Sequence, residues 1–213
     1  ADVWIVLDLD HSVHAPATRP VNWTPDERGE WPPEAWLDST EEYAVTVAAS
    51  MAQRFLREGR NVGLIASGAH LETIPADRSD RQLVKILESL AVVRADGALP
   101  LAELLAAEGR RLGRNDFLVV VTPSLAEAWV GALAGTSQRG VRVPTVLLEA
   151  STFATAPHSL LMISALADAG AALEREDYLD AARELTRGGF ESPTANVQPL
   201  LQVVQPPDII QAD

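Results

Sequence analysis

The sequence predicts an α/β domain of three layers: a mainly parallel sheet with one antiparallel strand, and helices on both faces. Three observations carry this. "VWIVLDL" (residues 3–9), "NVGLIAS" (61–67) and "FLVVVT" (117–122) are nearly continuous apolar runs rich in β-branched residues, the pattern of strands buried on both sides. Segments with helical spacing of apolar residues separate them. Strands that alternate with helices build parallel sheets, because each parallel crossover needs an element to return the chain.

In chain order, residues 13–38 first interrupt the pattern. Five prolines, with Trp23, Trp31 and Trp36, in a stretch without periodicity read as a long loop inserted after the first strand. Structureless loops of this length are uncommon and usually functional. Ser39-x-x-Glu42 is a capping box opening a helix with Tyr43, Val47, Met51 and Phe55 on its apolar face, and Gly59 closes it. The alternating "AHLETIPAD" (69–77) predicts a strand folding back antiparallel on "NVGLIAS". Ser79 and Gln82 repeat the capping signal before a helix carrying Leu83, Ile86, Leu87 and Leu90.

The Asp96-Gly97 turn leads to a helix over about 100–112, with Leu101, Leu104 and Leu105 as its stripe. Beyond "FLVVVT", Ser124-x-x-Glu127 caps a helix presenting Trp129 and Leu133. "VRVPTVLLE" (141–149) is a strand whose Pro144 places it near a sheet edge. Residues 158–168 read as helix, "AALE" (171–174) as a short strand and 177–187 as a last helix. The expectation is one domain over 1–187 and a tail over 188–213, where proline and glutamine dominate.

At 213 residues the chain is long enough to bury about 70% of its unfolded surface around one core. It has no cysteine, which removes thiolate catalysis, disulfides and cysteine-based metal sites. The formal net charge of −13 repels phosphate backbones and anionic lipid surfaces, which excludes nucleic acid and favours cations or basic protein surfaces. No apolar run approaches the ~20 residues of a membrane span. Because Ala1 enters a strand by Val3 with no methionine, the sequence reads as an excised domain.

Chemistry concentrates at the end of the first strand, in "DLDHS". Ligands of open α/β sheets bind at the carboxyl ends of the strands. Alternate spacing points Asp8, Asp10 and Ser12 to one side, offering two carboxylates and a hydroxyl to one hard cation. Oxygen ligands of this kind suit Mg²⁺, Mn²⁺ or Ca²⁺ better than zinc or copper. The other reading is a degenerate site whose acids are held by hydrogen bonds or water. The histidines His11, His14, His70 and His158 lack metal-type spacing on a common helix.

The words "VWIVLDLDHSVHA", "STEEYAVTVAASMAQRFLREGRNVGLIASG", "DRSDRQLVKILESLAVVRADGALPLAELLAAEGRRL" and "VVVTPS", over roughly residues 3–148, resemble a known family. It is the von Willebrand factor type A-like domain of the prokaryotic family called "domain of unknown function fifty-eight", with a Rossmann-like fold. Such domains commonly carry a metal-ion-dependent adhesion site: Asp-x-Ser-x-Ser in the first loop, a threonine in the second, an aspartate in the third. Asp8 and Ser12 match, while Asp10 replaces the first serine. The second loop has Ala98 and Pro100 and no threonine; the third has Thr122 and Ser124 and no aspartate. The metal set implied is therefore Asp8, Asp10, Ser12 and Thr122. The resemblance also implies a cytoplasmic domain of a larger, membrane-anchored protein working with a MoxR-type AAA+ ATPase in assembly or chaperone-like tasks.

An enzyme reading stands beside it. A strand followed by Asp-x-Asp-x-Ser also resembles the first motif of haloacid dehalogenase-type phosphatases, with Asp8 as nucleophile, Asp10 as acid/base, Ser67 as phosphate-binding hydroxyl and Lys85 as the steadying cation. That motif set needs acids after "FLVVV" to hold Mg²⁺, where this chain has Thr122, Pro123 and Ser124. The leading expectation is a non-catalytic domain presenting the ends of its sheet to a protein partner, with Trp23, Trp31, Trp36 and Ser124 as contact residues.

Overall fold

The computed structural model describes residues 2–15, 39–152, 156–168 and 201–203. Trp23, Trp31 and Trp36, the strand expected at 171–174 and the helix expected at 177–187 lie outside them.

The strands are β1 (Val3–Asp8), β2 (Val62–Ser67), β3 (Leu71–Asp77), β4 (Phe117–Thr122), β5 (Thr145–Leu148) and β6 (Leu201–Val203). The helices are α1 (Thr40–Arg57), α2 (Gln82–Leu90), α3 (Leu101–Glu108), α4 (Ala128–Ser137) and α5 (Leu160–Asp168). One sheet of order β3-β2-β1-β4-β5-β6 results. β2, β1, β4 and β5 run parallel, as expected from their apolar runs, and β3 returns antiparallel on β2. The tail contributes β6, which pairs antiparallel with β5. Pro144 sits just before β5, the penultimate strand, and its carbonyl accepts from the Val120 N–H at 3.0 Å.

Alternation along the strands divides the core in two. Ile5, Leu7, Leu64, Val119 and Val121 face α1 and α2 on one side. Val6, Ile65, Leu118, Val120 and Leu147 face α3, α4 and α5 on the other, around Trp129. Both faces of the central strands are therefore dry, which explains their unbroken apolar sequence.

α1 begins as the capping box predicts: Ser39 is extended and its hydroxyl accepts from the Glu42 N–H at 3.2 Å. It ends beside Gly59 at φ 74°, a left-handed turn that glycine adopts without strain. Its buried stripe is Ala44, Ala48, Met51, Ala52 and Phe55, while Tyr43 and Val47 are only partly buried. Three alanines one turn apart bring the helix close to the sheet.

The other two capping signals form different structures. The Ser79 hydroxyl donates to Asp77 at 2.7 Å, and α2 opens at Gln82 with no side-chain cap. Ser124 accepts from the Ala126 N–H at 3.3 Å in a local turn, and α4 also opens without a side-chain cap. In each case the serine found a nearer partner than the helix end.

Gln82 does something the sequence did not announce. The β2–β3 ladder shifts register between Val62 and Leu64. Buried Gln82 spans the gap, its amide nitrogen donating to Val62 O at 2.7 Å and to Pro75 O at 2.8 Å. Gln82→Ala leaves a buried carbonyl unsatisfied, and we expect a loss of about 1–3 kcal/mol in urea unfolding. An unchanged urea midpoint would show that the bulge is satisfied without Gln82.

Candidate functional site

The parallel strands end in polar residues along one edge. Asp8 closes β1, Ser67 closes β2 and Thr122 closes β4, each at most 1% exposed. Glu149 follows β5 and is 4% exposed. Pairing of β1 with β2 and β4 is in register, so the strand ends are level.

Asp8 is the centre. Its Oδ2 accepts from the Thr122 hydroxyl at 2.6 Å and its Oδ1 from the Asp10 N–H at 3.2 Å. Thr122 Oγ1 in turn accepts from the Ser124 N–H at 2.9 Å, which orients the hydroxyl hydrogen toward Asp8. Asp10 repeats the device two residues on: its Oδ1 accepts from the Ser12 N–H at 2.9 Å and the Ser12 hydroxyl at 2.8 Å. The structure thus joins Asp8 with Thr122, and Asp10 with Ser12, through hydrogen bonds.

Two loops hold this arrangement. His11 N–H donates to Gly97 O at 2.9 Å, and Gly97 N–H donates to Leu9 O at 3.0 Å. A Cβ at position 97 would come within 2.4 Å of Ser67 O, so the close approach requires glycine. The Asp96-Gly97 turn, read as a simple lead-in to a helix, is the seat of the first loop.

His14 locks the other side. A carbonyl only accepts, so His14 Nε2–H donates to Asp8 O at 2.7 Å, and Nδ1 meets the Thr40 hydroxyl at 3.0 Å. Thr40 Oγ1 also accepts from the Ala15 N–H at 2.9 Å. The sequence shows His14 only as a histidine without metal-type spacing, and nothing in that spacing signals a partner 26 residues on.

Burial pushes the Asp8 carboxyl above its ordinary range. The Thr122 hydroxyl, the Asp10 N–H and nearby His14 pull it back, and the Asp10 charge adds a smaller upward push.

A hard divalent cation takes about six or more oxygen ligands around one point, waters among them, and needs the protein's carboxylate and hydroxyl lone pairs turned toward it. Here both hydroxyl hydrogens, from Ser12 and Thr122, point at the carboxylates, as do two backbone N–H groups. Among the described residues no three His, Asp or Glu side chains are placed to hold a metal ion together. The set as arranged does not fit a metal: hydrogen-bond donors occupy the places a cation would neutralise.

Of the phosphatase set, Ser67 lies level with Asp8 on the adjacent strand, but Lys85 does not join them. Lys85 is exposed on α2 and its charge acts on Asp77, at the opposite end of the sheet from Asp8. Sequence reading missed a second network at the same edge. Glu149 accepts from the Ser151 hydroxyl at 2.6 Å and from both the N–H and hydroxyl of Ser159. Since Ser151 gives its hydrogen to Glu149, the His158 Nδ1 contact to Ser151 at 3.0 Å is a donation by the ring. Burial raises the Glu149 carboxyl, but these three donors and the Ser151 N–H at 3.4 Å outweigh it and the net shift is downward.

No protein-family model matches the chain. No curated protein matches it either. Among solved structures it is similar to the conserved hypothetical protein BatB from Bacteroides thetaiotaomicron, at 16% identity and a TM-score of 0.44, over 69% of this chain and 66% of that one. It is also similar to an aerotolerance-related membrane protein from Bacteroides fragilis, at 19% identity and a TM-score of 0.44, over 69% of this chain and 67% of that one. The chain spans about two thirds of each neighbour. Among the described residues, no helix is long and apolar enough to cross a membrane.

Two outcomes follow from this geometry. Asp8 is an acid with a raised folded-state pKa, so its contribution is favourable in acid and is lost as pH rises through the raised value. Glu149 acts in the opposite sense, its contribution being lost as pH falls below the ordinary glutamate range. The difference between wild-type and Asp8→Asn stability curves therefore isolates Asp8, and the wild type should decline relative to the variant as pH rises past the ordinary aspartate range. Parallel curves would contradict this. Calorimetric titration with Mg²⁺, Mn²⁺ or Ca²⁺ at millimolar concentration should give no binding heat; a saturable heat lost in Asp8→Asn would restore the metal.

Proposed function

We propose that the chain is a non-catalytic, type A-like interaction domain that presents the carboxyl end of its sheet to a protein partner. The observation that carries this is the state of Asp8. A nucleophilic carboxylate must reach its substrate, whereas Asp8 is 1% exposed with a donor on each oxygen. The group is spent on holding the loop that follows it. His11 and Ser12 form that loop's outer surface, with His11 66% exposed at its side chain and Asp10 buried beneath them.

The element order and the sequence words together support the type A-like reading, with an adhesion site that has exchanged its cation for hydrogen bonds. Through the same resemblance, a MoxR-type AAA+ ATPase, or a client shared with it, is the partner to test first. A larger, membrane-anchored parent protein belongs to the same reading.

The test pairs binding with turnover. Asp10→Asn and Ser12→Ala loosen the loop while keeping both hydrogen-bond donors to Asp8, and should weaken binding of such an ATPase by about tenfold, as the loss of one charge-assisted contact would. A generic aryl phosphate should stay unhydrolysed with Mg²⁺ present. Turnover that disappears in Asp8→Asn would replace the interaction reading with the phosphatase.

A further inference from the structure

Parallel α/β topology gives this domain a polarity that its net charge conceals. α1, α3 and α4 each return the chain from the carboxyl edge of the sheet, so each ends at the amino edge, where its C-terminal carbonyls carry partial negative charge. The sequence answers with arginine at every one of these ends. Arg110, Arg111 and Arg114 follow α3; Arg139 and Arg142 follow α4; Arg57 and Arg60 close α1.

The α3 and α4 ends form one surface. Arg139 Nη2 donates to Gly109 O at 2.9 Å, binding the end of α4 to the end of α3. Asn115 N–H donates to Gly140 O at 3.1 Å, and a Cβ built on Gly140 would touch the Arg114 side chain at 3.0 Å. Arg142 lies over the Phe117 ring, 5.1 Å from its centre. All five guanidinium-bearing residues are exposed.

Three acids stand among them, and all are engaged; Asp2 accepts from the Asn61 side-chain amide at 2.8 Å. Glu108 is buried and pairs with Arg111 at 3.0 Å. Asp116 accepts from the N–H groups of Gly113 and Asp2. Among the described residues Arg110 and Arg114 have no ion-pair or side-chain hydrogen-bond partner, and compensating a helix end does not require five arginines on two turns.

We propose that this amino-edge arginine cluster is a second docking surface, and that its occupant is a short acidic segment of a partner protein. Guanidinium is charged at every physiological pH and pairs with carboxylates in a bidentate manner. At physiological salt the field of a charge fades within about 8 Å, so a short acidic segment meets the local positive cluster rather than the −13 of the whole chain. An extended polyanion such as a lipid surface or a duplex also meets the acidic remainder. The embedded Glu108 and Asp116 further break the cluster into separate positive points. A flexible segment can match that spacing and a uniform charged plane cannot.

Fluorescence anisotropy of a short labelled Asp/Glu peptide with the full chain tests this. Binding is expected, weakening as salt rises. Arg110→Glu combined with Arg114→Glu should weaken it by about tenfold or more, with only a small fall in melting temperature from reversing charge at the end of α3. Arg114→Gln, as a milder change, should weaken it in the same direction, and Asp10→Asn should leave it unmoved. The proposal is overturned by equal peptide affinity in the double variant, whether or not its melting temperature falls. It is equally overturned by no binding at low salt, or by tighter binding to phosphatidylserine-containing vesicles or duplex DNA than to the peptide.

Discussion

The rest of the structure depends on a carboxylate buried at the end of the central strand. An ionised aspartate removed from water costs several kcal/mol unless donors replace the lost hydration. Asp8 obtains them from Thr122 on the neighbouring strand and from the backbone of its own loop. Satisfying this one group fixes the path of residues 9–15, which fixes Asp10 against Gly97 and His14 against Thr40. The start of α1 is thereby tied to the end of β1. A chain of polar contacts that begins with one electrostatic requirement sets the surface the domain shows at that edge.

Much of the fold was legible because burial on both faces writes itself plainly into a strand. "VWIVLD", "VGLIAS" and "FLVVVT" have no polar alternation to confuse them, and the antiparallel β3 announced itself by alternating. Helix starts were less legible. Ser39 caps α1, but Ser79 and Ser124 have the same spacing and bond elsewhere, since a serine takes the nearest donor or acceptor and the sequence pattern does not say which. On the predicted apolar face of α1, Met51 and Phe55 are buried in the core, while Tyr43 and Val47 are half-buried beside it and the small alanines one position on lie against the sheet.

The candidate site was half legible. Alternate acids after a strand point to the right place and the right set of oxygens. Their chemistry depended on partners far away in sequence. Thr122 lies 114 residues from Asp8, and Gly97 lies 86 residues from His11. Ser12 and Thr122 look like cation ligands in the sequence; in the folded chain their hydrogens already serve the acids. The Glu149, Ser151 and Ser159 network had no motif to reveal it, because it is assembled from single residues on either side of a turn.

The placement of β1 also has a consequence for synthesis. It precedes the other strands of the sheet in the chain and lies at the middle of the sheet, so both of its neighbours come later, and the one that satisfies Asp8 comes after the other. At ribosomal speeds of about 5–20 residues per second, the nascent chain waits on the order of ten seconds between the emergence of Asp8 and that of Thr122. For about half of that interval an apolar strand has neither of its two partners, and for the rest only one. It ends in a charge that has nowhere dry to go, and that charge keeps the unfinished strand end in water until β4 arrives to receive it.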